Sequence, residues 1–364
     1  MKALAAVARR PGLPFSLEQV ELDELRPDEI LIRMVAAGIC HTDISAANQR
    51  LPVQYPIILG HEGAGIVEQT GEQVKTVAKG DKVLLLPDYC GHCDRCTQGQ
   101  TTYCENFMQV AFSGEREGDP RARLGDQAVR AAFFGQSSFS TYALVTERNI
   151  LKVDPAAPLH LYAALTCGIQ TGAGAVLNVL RPQVGSSITV FGVGAVGLAA
   201  IMAAVNAGAS TIIAVDRVDS RLEMAKELGA TATLNTEKSA DVVGEIRRLT
   251  GSGSDFTLDT TGSPALIRSA VESLAIRGTC ALLTGTGLEV TFPIASILVG
   301  GRTIRGIIGG DSSAGLTVKK LIQLYEQGRF PFDRLVQHFP FESINEAIEE
   351  MLSGRVIKPV LTFD

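Results

Sequence analysis

The chain has 364 residues, more than one hydrophobic core usually organises, so two domains are expected. Apolar residues make up 46% and charged residues 20%, a globular composition that excludes a disordered chain. The net charge of -6 comes with scattered Lys and Arg, so neither nucleic acid nor a membrane surface is an expected partner.

At the N-terminus Arg9, Arg10 and Pro11 interrupt any apolar run, so no secretory leader is expected. Residues 1–165 read as short strands separated by Gly, Pro and Asp, with apolar runs at 30–35, 65–68 and 82–86. Residues 113–123 (SGEREGDPRAR) read as a charged, exposed loop. From about residue 169 to 308, apolar runs at 188–191, 211–215, 256–259, 280–284 and 303–308 alternate with helical segments. That alternation predicts a parallel sheet covered by helices on both faces, hence an α/β fold. The stretch 186–215 carries no charge and is long enough to span a bilayer, but its glycines and Asn206 make it strand, turn, helix and strand. A helix is expected over 317–327, and the chain ends in an apolar run at 360–363.

Gly192, Gly194 and Gly197 form G-x-G-x-x-G between a strand and a helix, with Asp216 ending the next strand. In that setting the glycines let backbone approach a pyrophosphate, and the helix N-terminus supplies positive potential. Asp216 would accept from ribose hydroxyls and repel a 2′-phosphate, favouring NAD over NADP. Arg217 and Arg221 are the neighbouring cations that blur this preference.

Of seven cysteines, Cys90, Cys93, Cys96 and Cys104 cluster within fifteen residues. In a long chain without a leader this spacing points to metal and a reducing cytoplasm rather than to disulfides. Four thiolates with no open position describe a structural zinc site. An iron–sulfur cluster is the alternative, but its motif has a shorter last gap and a proline where Glu105 stands. Cys40, His61, Glu62 and Cys167 are dispersed, in GICHTD (residues 38–43), GHEGAG (60–65) and CGIQTG (167–172).

With GHEGAGIVEQTG at 60–71, the four-cysteine lobe and GVGAVG at 192–197, the chain resembles the zinc-containing medium-chain alcohol dehydrogenases along its whole length. The resemblance implies a GroES-like β-rich catalytic domain (1–168 and 309–364) and a Rossmann domain (169–308). It implies two zinc ions per subunit and NAD, with the catalytic zinc on Cys40, His61 and Cys167. By the same resemblance Glu62 approaches that metal during ligand exchange and Asp43 orients His61. The resemblance also implies that Thr42 hydrogen-bonds the alcohol oxygen, which would lose its proton beside the cation before hydride passes to the nicotinamide. Many relatives continue the proton relay through a histidine where this chain has Ser45. His41 and Lys358 match contacts to the coenzyme phosphates, and Thr171 and Val196 match residues that pack on the nicotinamide.

The segments FFGQSSFSTYA (133–143) and CGIQTGAG (167–174) are similar to those of the benzyl (aryl) alcohol dehydrogenase branch, and also to dehydrogenases of allylic terpene alcohols. The expected substrate is therefore an aryl or allylic primary alcohol, with Phe133, Phe134 and Phe139 as candidate pocket residues. Alternatives are a glutathione-dependent formaldehyde dehydrogenase, a short-chain aliphatic alcohol dehydrogenase, or a non-catalytic NAD-binding relative. The resemblance further implies a homodimer or homotetramer, joined along the sheet edge near residues 297–308.

Overall fold

The computed structural model describes residues 1–284, 289–311 and 313–363. It divides into two compact units: Met1–Cys167 with Ser313–Val318 and Asp333–Asp364, and Gly168–Ser312 with Lys319–Phe332.

In the first unit, strands Lys2–Ala8, Ser16–Leu22, Arg121–Leu124, Gln127–Arg130 and Ile57–Ile58 close a barrel. Alternation drives it: Val20 and Leu22 turn inward while Glu21 faces solvent, burying one face as strand geometry requires. Beside the barrel lies a seven-stranded sheet centred on Glu29–Gly38, the longest strand, which pairs with Gly63–Thr70, Tyr142–Thr146 and Lys358–Thr362. Eight of its ten residues are buried, so both of its faces are covered.

The second unit is built on a six-stranded, all-parallel sheet. Its order runs Ala232–Asn235, Thr211–Asp216, Ser187–Phe191, Ser254–Asp259, Leu274–Leu282, Thr303–Gly306. All residues of Ser187–Phe191 are buried, as a central strand between helical layers must be. Strand order reverses at Ser187–Phe191, with Thr211–Asp216 on one side and Ser254–Asp259 on the other. That reversal opens a crevice at the carboxyl ends of these strands. The uncharged stretch 186–215 is strand, helix (Ala195–Ala207) and strand. Among the described residues, no single helix is long and apolar enough to cross a membrane.

The expectation for residues 113–123 is overturned. Strand Arg121–Leu124 belongs to the barrel, and Arg121 is only 4% exposed. Arg121 donates to Glu29 Oε2 at 2.6 Å and to the Glu24 carbonyl at 2.8 Å. Arg116 donates to Glu29 Oε1 at 2.5 Å and to the Gly135 and Leu144 carbonyls. Glu29, fully buried, thus neutralises two cations more than eighty residues away in sequence. Burial pushes its carboxyl up, but the Arg26 amide and the two guanidinium groups hold it below the usual value.

Removing one partner of a buried charge cluster leaves the others unpaired, which costs more than the cluster contributes. Glu29→Gln is expected to destabilise the folded chain by about 3 kcal/mol in thermal or denaturant unfolding at neutral pH. Because the folded-state pKa is depressed, this contribution is present above the unfolded carboxyl pKa and is lost as pH falls through the folded value. The gap between wild type and variant therefore narrows in acid; a gap independent of pH would contradict the assignment.

Candidate active site and metal centres

Three strand ends meet at one end of the seven-stranded sheet, on its interior strands. Strand Glu29–Gly38 ends two residues before Cys40, and His61 and Glu62 directly precede Gly63–Thr70. The antiparallel register pairs Ala37 with Gly63, and the Gly38 amide donates to the Glu62 carbonyl at 2.9 Å. Lys358 begins the third strand, and Ile39 N–H donates to the Pro359 carbonyl. Cys167 arrives from the buried 3-10 turn Ala163–Thr166. The ligand atoms of Cys40, His61, Glu62 and Cys167 lie within 4.8 Å of one another. His61 Nε2 is 3.2 Å from Cys167 Sγ. Zinc–sulfur and zinc–nitrogen bonds in a tetrahedron require ligand separations of about 3.3–3.8 Å, so the donors and their spacing fit a zinc ion.

The surroundings orient these donors. Asp43, fully buried, accepts from His61 Nδ1 at 2.8 Å, from Gly60 N–H at 3.0 Å and from Cys40 N–H at 2.9 Å. It sits in the first turn of helix His41–Ala47, so a single carboxylate fixes both ligand-bearing loops and leaves Nε2 facing the thiols. The Gln136 side chain donates to the His61 carbonyl and accepts from Gly63 N–H, both at 3.1 Å. Phe134 stacks on the imidazole at 4.7 Å between centroids and 25° between planes, while Phe133 meets it edge-on.

Electrostatically the site favours positive charge. Burial opposes protonation of His61, yet the Asp43 carboxylate and the Cys40 sulfur raise its pKa well above the usual value. The hydrogen bond from Cys167 pulls the Cys40 thiol well down, and the same bond, with burial, pushes Cys167 well up. Burial raises Glu62 to about 7 against the pull of Lys358, with which it pairs.

Lys358, expected at the coenzyme phosphates, is instead 2% exposed and donates to the Ile39 carbonyl at 3.0 Å. Its ammonium pairs with the Glu62 carboxylate where the three strand ends converge. His41 is exposed at the start of its helix. The Thr42 hydroxyl lies 3.6 Å from Cys40 Sγ.

The second metal-type cluster is the lobe of Cys90, Cys93, Cys96 and Cys104, whose sulfurs also lie within 4.8 Å of one another, with Cys90 and Cys96 3.9 Å apart. None of the seven cysteines is in a disulfide. Backbone N–H groups of Cys90, Cys93 and Glu105 point at Cys104, Cys90 and Cys93 sulfurs, as donors to thiolates do. Burial raises the Cys90 thiol, but the Asn106 side chain and the amides of His92 and Cys93 bring it down to about 5, whereas burial pushes Cys96 up to about 12. Four thiols this close cannot all ionise alone; a divalent cation lets them.

In the second unit, the glycine turn fits a dinucleotide. Gly192 has φ +83°, and a Cβ there would meet Thr260 Oγ1 at 2.5 Å. A Cβ at Gly197 would strike the Gly192 carbonyl, while nothing lies within 4 Å of the Gly194 position, so its backbone is open to a ligand. Asp216 accepts from Val193 N–H at 2.8 Å and from the amides of Arg217 and Val218. Arg217 is exposed, while Arg221 Nε is buried with no protein partner. Thr171 and Val196 are half-buried on helices Gly168–Gly174 and Ala195–Ala207.

Of the candidate pocket phenylalanines, Phe133 and Phe139 are fully buried in the barrel core and Phe134 is 8% exposed. The roles of Gln136 and of Arg116 escaped the sequence reading. Their partners are a backbone carbonyl 75 residues away and the side chain of Glu29, and neither leaves a local signal.

Comparison with known proteins agrees with this geometry. Residues 26–155 match the alcohol dehydrogenase GroES-like domain and residues 195–327 the zinc-binding dehydrogenase family. A geraniol dehydrogenase from Castellaniella defragrans is 39% identical over 367 residues, covering 100% of this chain and 98% of that protein. The crystal structure of an alcohol dehydrogenase zinc-binding domain protein from Burkholderia ambifaria superposes with a TM-score of 0.97 at 48% identity, covering 100% of this chain and 99% of that one. That of benzyl alcohol dehydrogenase from Acinetobacter calcoaceticus gives 0.96 at 41%, covering 100% of both chains. With GroES-like and Rossmann parts, two zinc-type clusters and relatives matched end to end, the chain belongs to the zinc- and NAD-dependent medium-chain alcohol dehydrogenases.

Proposed function

We propose that the enzyme oxidises aryl or allylic primary alcohols to aldehydes, with Cys40, His61 and Cys167 holding the catalytic zinc and Cys90, Cys93, Cys96 and Cys104 a structural one. The observation that carries this reading is the cluster of two half-buried thiols, a buried imidazole and a buried carboxyl, with the aromatic face of Phe134 stacked on the imidazole. Zinc and NAD, when bound, supply the Lewis acid and the hydride acceptor. Thr42, beside Cys40, accepts the hydrogen bond of the alcohol as its proton departs. Asp43 keeps His61 in the tautomer whose Nε2 is free to ligate. Glu62, paired with Lys358 in the same cluster, is placed to compensate charge when a ligand leaves. Ser45 cannot act as a base near neutral pH, so the protein relay ends at Thr42.

Substrate class is supported by the benzyl alcohol and geraniol dehydrogenases among the relatives. Both alcohols carry a π-system next to the carbinol carbon, and conjugation stabilises the aldehyde formed. Asp216 is assigned to the adenosine ribose, with Arg221 Nε available to the same ligand, the Gly192–Gly197 turn to the pyrophosphate, and Thr171 and Val196 to the nicotinamide side. His41, exposed at its helix start, is assigned to a coenzyme phosphate. The two domains are taken as 1–168 with 309–364 and as 169–308. We also assign self-association to the sheet edge at Thr303–Gly306, where Ile276, Ile294, Leu298 and Val299 are each more than three-quarters exposed.

Purified enzyme is expected to hold two zinc ions per subunit by metal analysis and to reduce NAD with benzyl alcohol or geraniol far faster than with ethanol. Thr42→Val should keep both ions and lose about a hundredfold in kcat. A variant with wild-type kcat would remove Thr42 from the proton path. Asp216→Asn should raise KM for NAD about tenfold and shift the coenzyme preference toward NADP, since a charged acceptor is lost and a repulsion with it. Light scattering on Leu298→Arg should show a smaller particle than wild type; an unchanged particle size would move the interface elsewhere.

A further inference from the structure

Residues 133–138 form a saddle over the loop that carries His61. Ser137 Oγ donates to the Ile58 carbonyl at 2.6 Å, Ser138 N–H to the Gly60 carbonyl at 3.0 Å, and Gln136 to the His61 carbonyl. The saddle is held in an uncommon conformation: Phe134, Gly135 and Ser137 have φ of +51°, +75° and +47°. A phenylalanine adopts the left-handed region only where its surroundings determine it. Here three groups do so. Arg116, neutralised by Glu29, donates to the Gly135 carbonyl, and Asn149 Nδ2 donates to the same oxygen at 2.9 Å. Asp88 N–H donates to the Phe134 carbonyl at 3.1 Å.

The consequence is the placement of one ring. Phe134 lies nearly parallel to the His61 imidazole and is braced on its other sides by Phe112 at 5.5 Å, Phe133 at 4.9 Å and Phe107 at 6.1 Å. Phe107 itself packs on the four-cysteine lobe. The Asp43 hydrogen bond fixes the direction of Nδ1 within the ring plane, but one hydrogen bond tolerates tilting of that plane. A flat ring stacked on one face opposes the tilt.

We propose that Phe134 is a positioning residue for the metal ligand His61, fixing the imidazole plane so that Nε2 stays aimed between Cys40 and Cys167. The proposal rests on the reading of Cys40, His61 and Cys167 as the catalytic zinc site. Phe134 touches no reacting atom in this role; it acts through His61. Leucine at the position fills much of the volume without a flat face, whereas tyrosine keeps the face.

The test follows zinc transfer from the intact enzyme to a chelating dye, together with the ligand-field spectrum of enzyme carrying cobalt in place of the Cys40, His61 and Cys167 zinc. Phe134→Leu is expected to release that one zinc about tenfold faster, leave release from the cysteine lobe unchanged, and alter the cobalt bands. Phe134→Tyr is expected to restore both the wild-type rate and the wild-type bands. Wild-type release and bands in Phe134→Leu would overturn the proposal, as would equal acceleration of both zinc ions, which is general loosening. Cys40→Ser enzyme that still holds both zinc ions would overturn the underlying metal reading, and the proposal with it.

Discussion

Two half-buried thiols and a fully buried imidazole and carboxyl, with ligand atoms within 4.8 Å of one another, are unfavourable company unless a cation shares the space. That constraint organises the first unit. The protons alone distribute badly: one thiol is pulled down, its partner pushed up, and Glu62 is raised to about 7 even beside Lys358. A zinc ion would remove the conflict, making metal retention and the integrity of this end of the sheet one problem in charge. The lobe of Cys90, Cys93, Cys96 and Cys104 solves the same problem with four thiolates and leaves no open position, which separates a structural site from a reactive one.

Holding such a site requires rigid delivery of its donors. Strand register does most of it: the pairing of Ala37 with Gly63 brings the ends bearing Cys40 and His61 together, and Lys358 comes in on the adjoining strand. The Asp43 carboxylate then locks two loops with three hydrogen bonds. Behind His61, the strained turn at Phe134 persists because Arg116 grips the Gly135 carbonyl, and Arg116 is affordable in the interior only because Glu29 faces it. Charge buried away from the cluster thereby supports a ring stacked on the His61 imidazole.

Much of this was legible in the sequence because the signals are local. The glycine turn directly follows strand Ser187–Phe191 and opens helix Ala195–Ala207, and the four lobe cysteines are separated by short gaps. The uncharged stretch 186–215 resolved through its glycines. Cys40, His61 and Cys167 lie far apart in the chain, and only resemblance joined them before the strands did. What was not legible depends on distant partners. The run SGEREGDPRAR reads as a solvated loop until Glu29 is placed against Arg116 and Arg121. Lys358 matches a phosphate contact until the strand ends bring it to Glu62. Phe133 and Phe139 look like pocket residues until the barrel closes over them.

The central claim, that two thiolates and one imidazole form a second zinc site with an open position, is tested most directly by X-ray absorption at the zinc edge of the purified enzyme. The account predicts mixed ligation: sulfur at about 2.3 Å from Cys40, Cys167 and the four lobe cysteines, and lighter atoms at about 2.0–2.1 Å from His61 and solvent. A shell of sulfur alone, with no nitrogen or oxygen scatterer, would confine zinc to the lobe and contradict it.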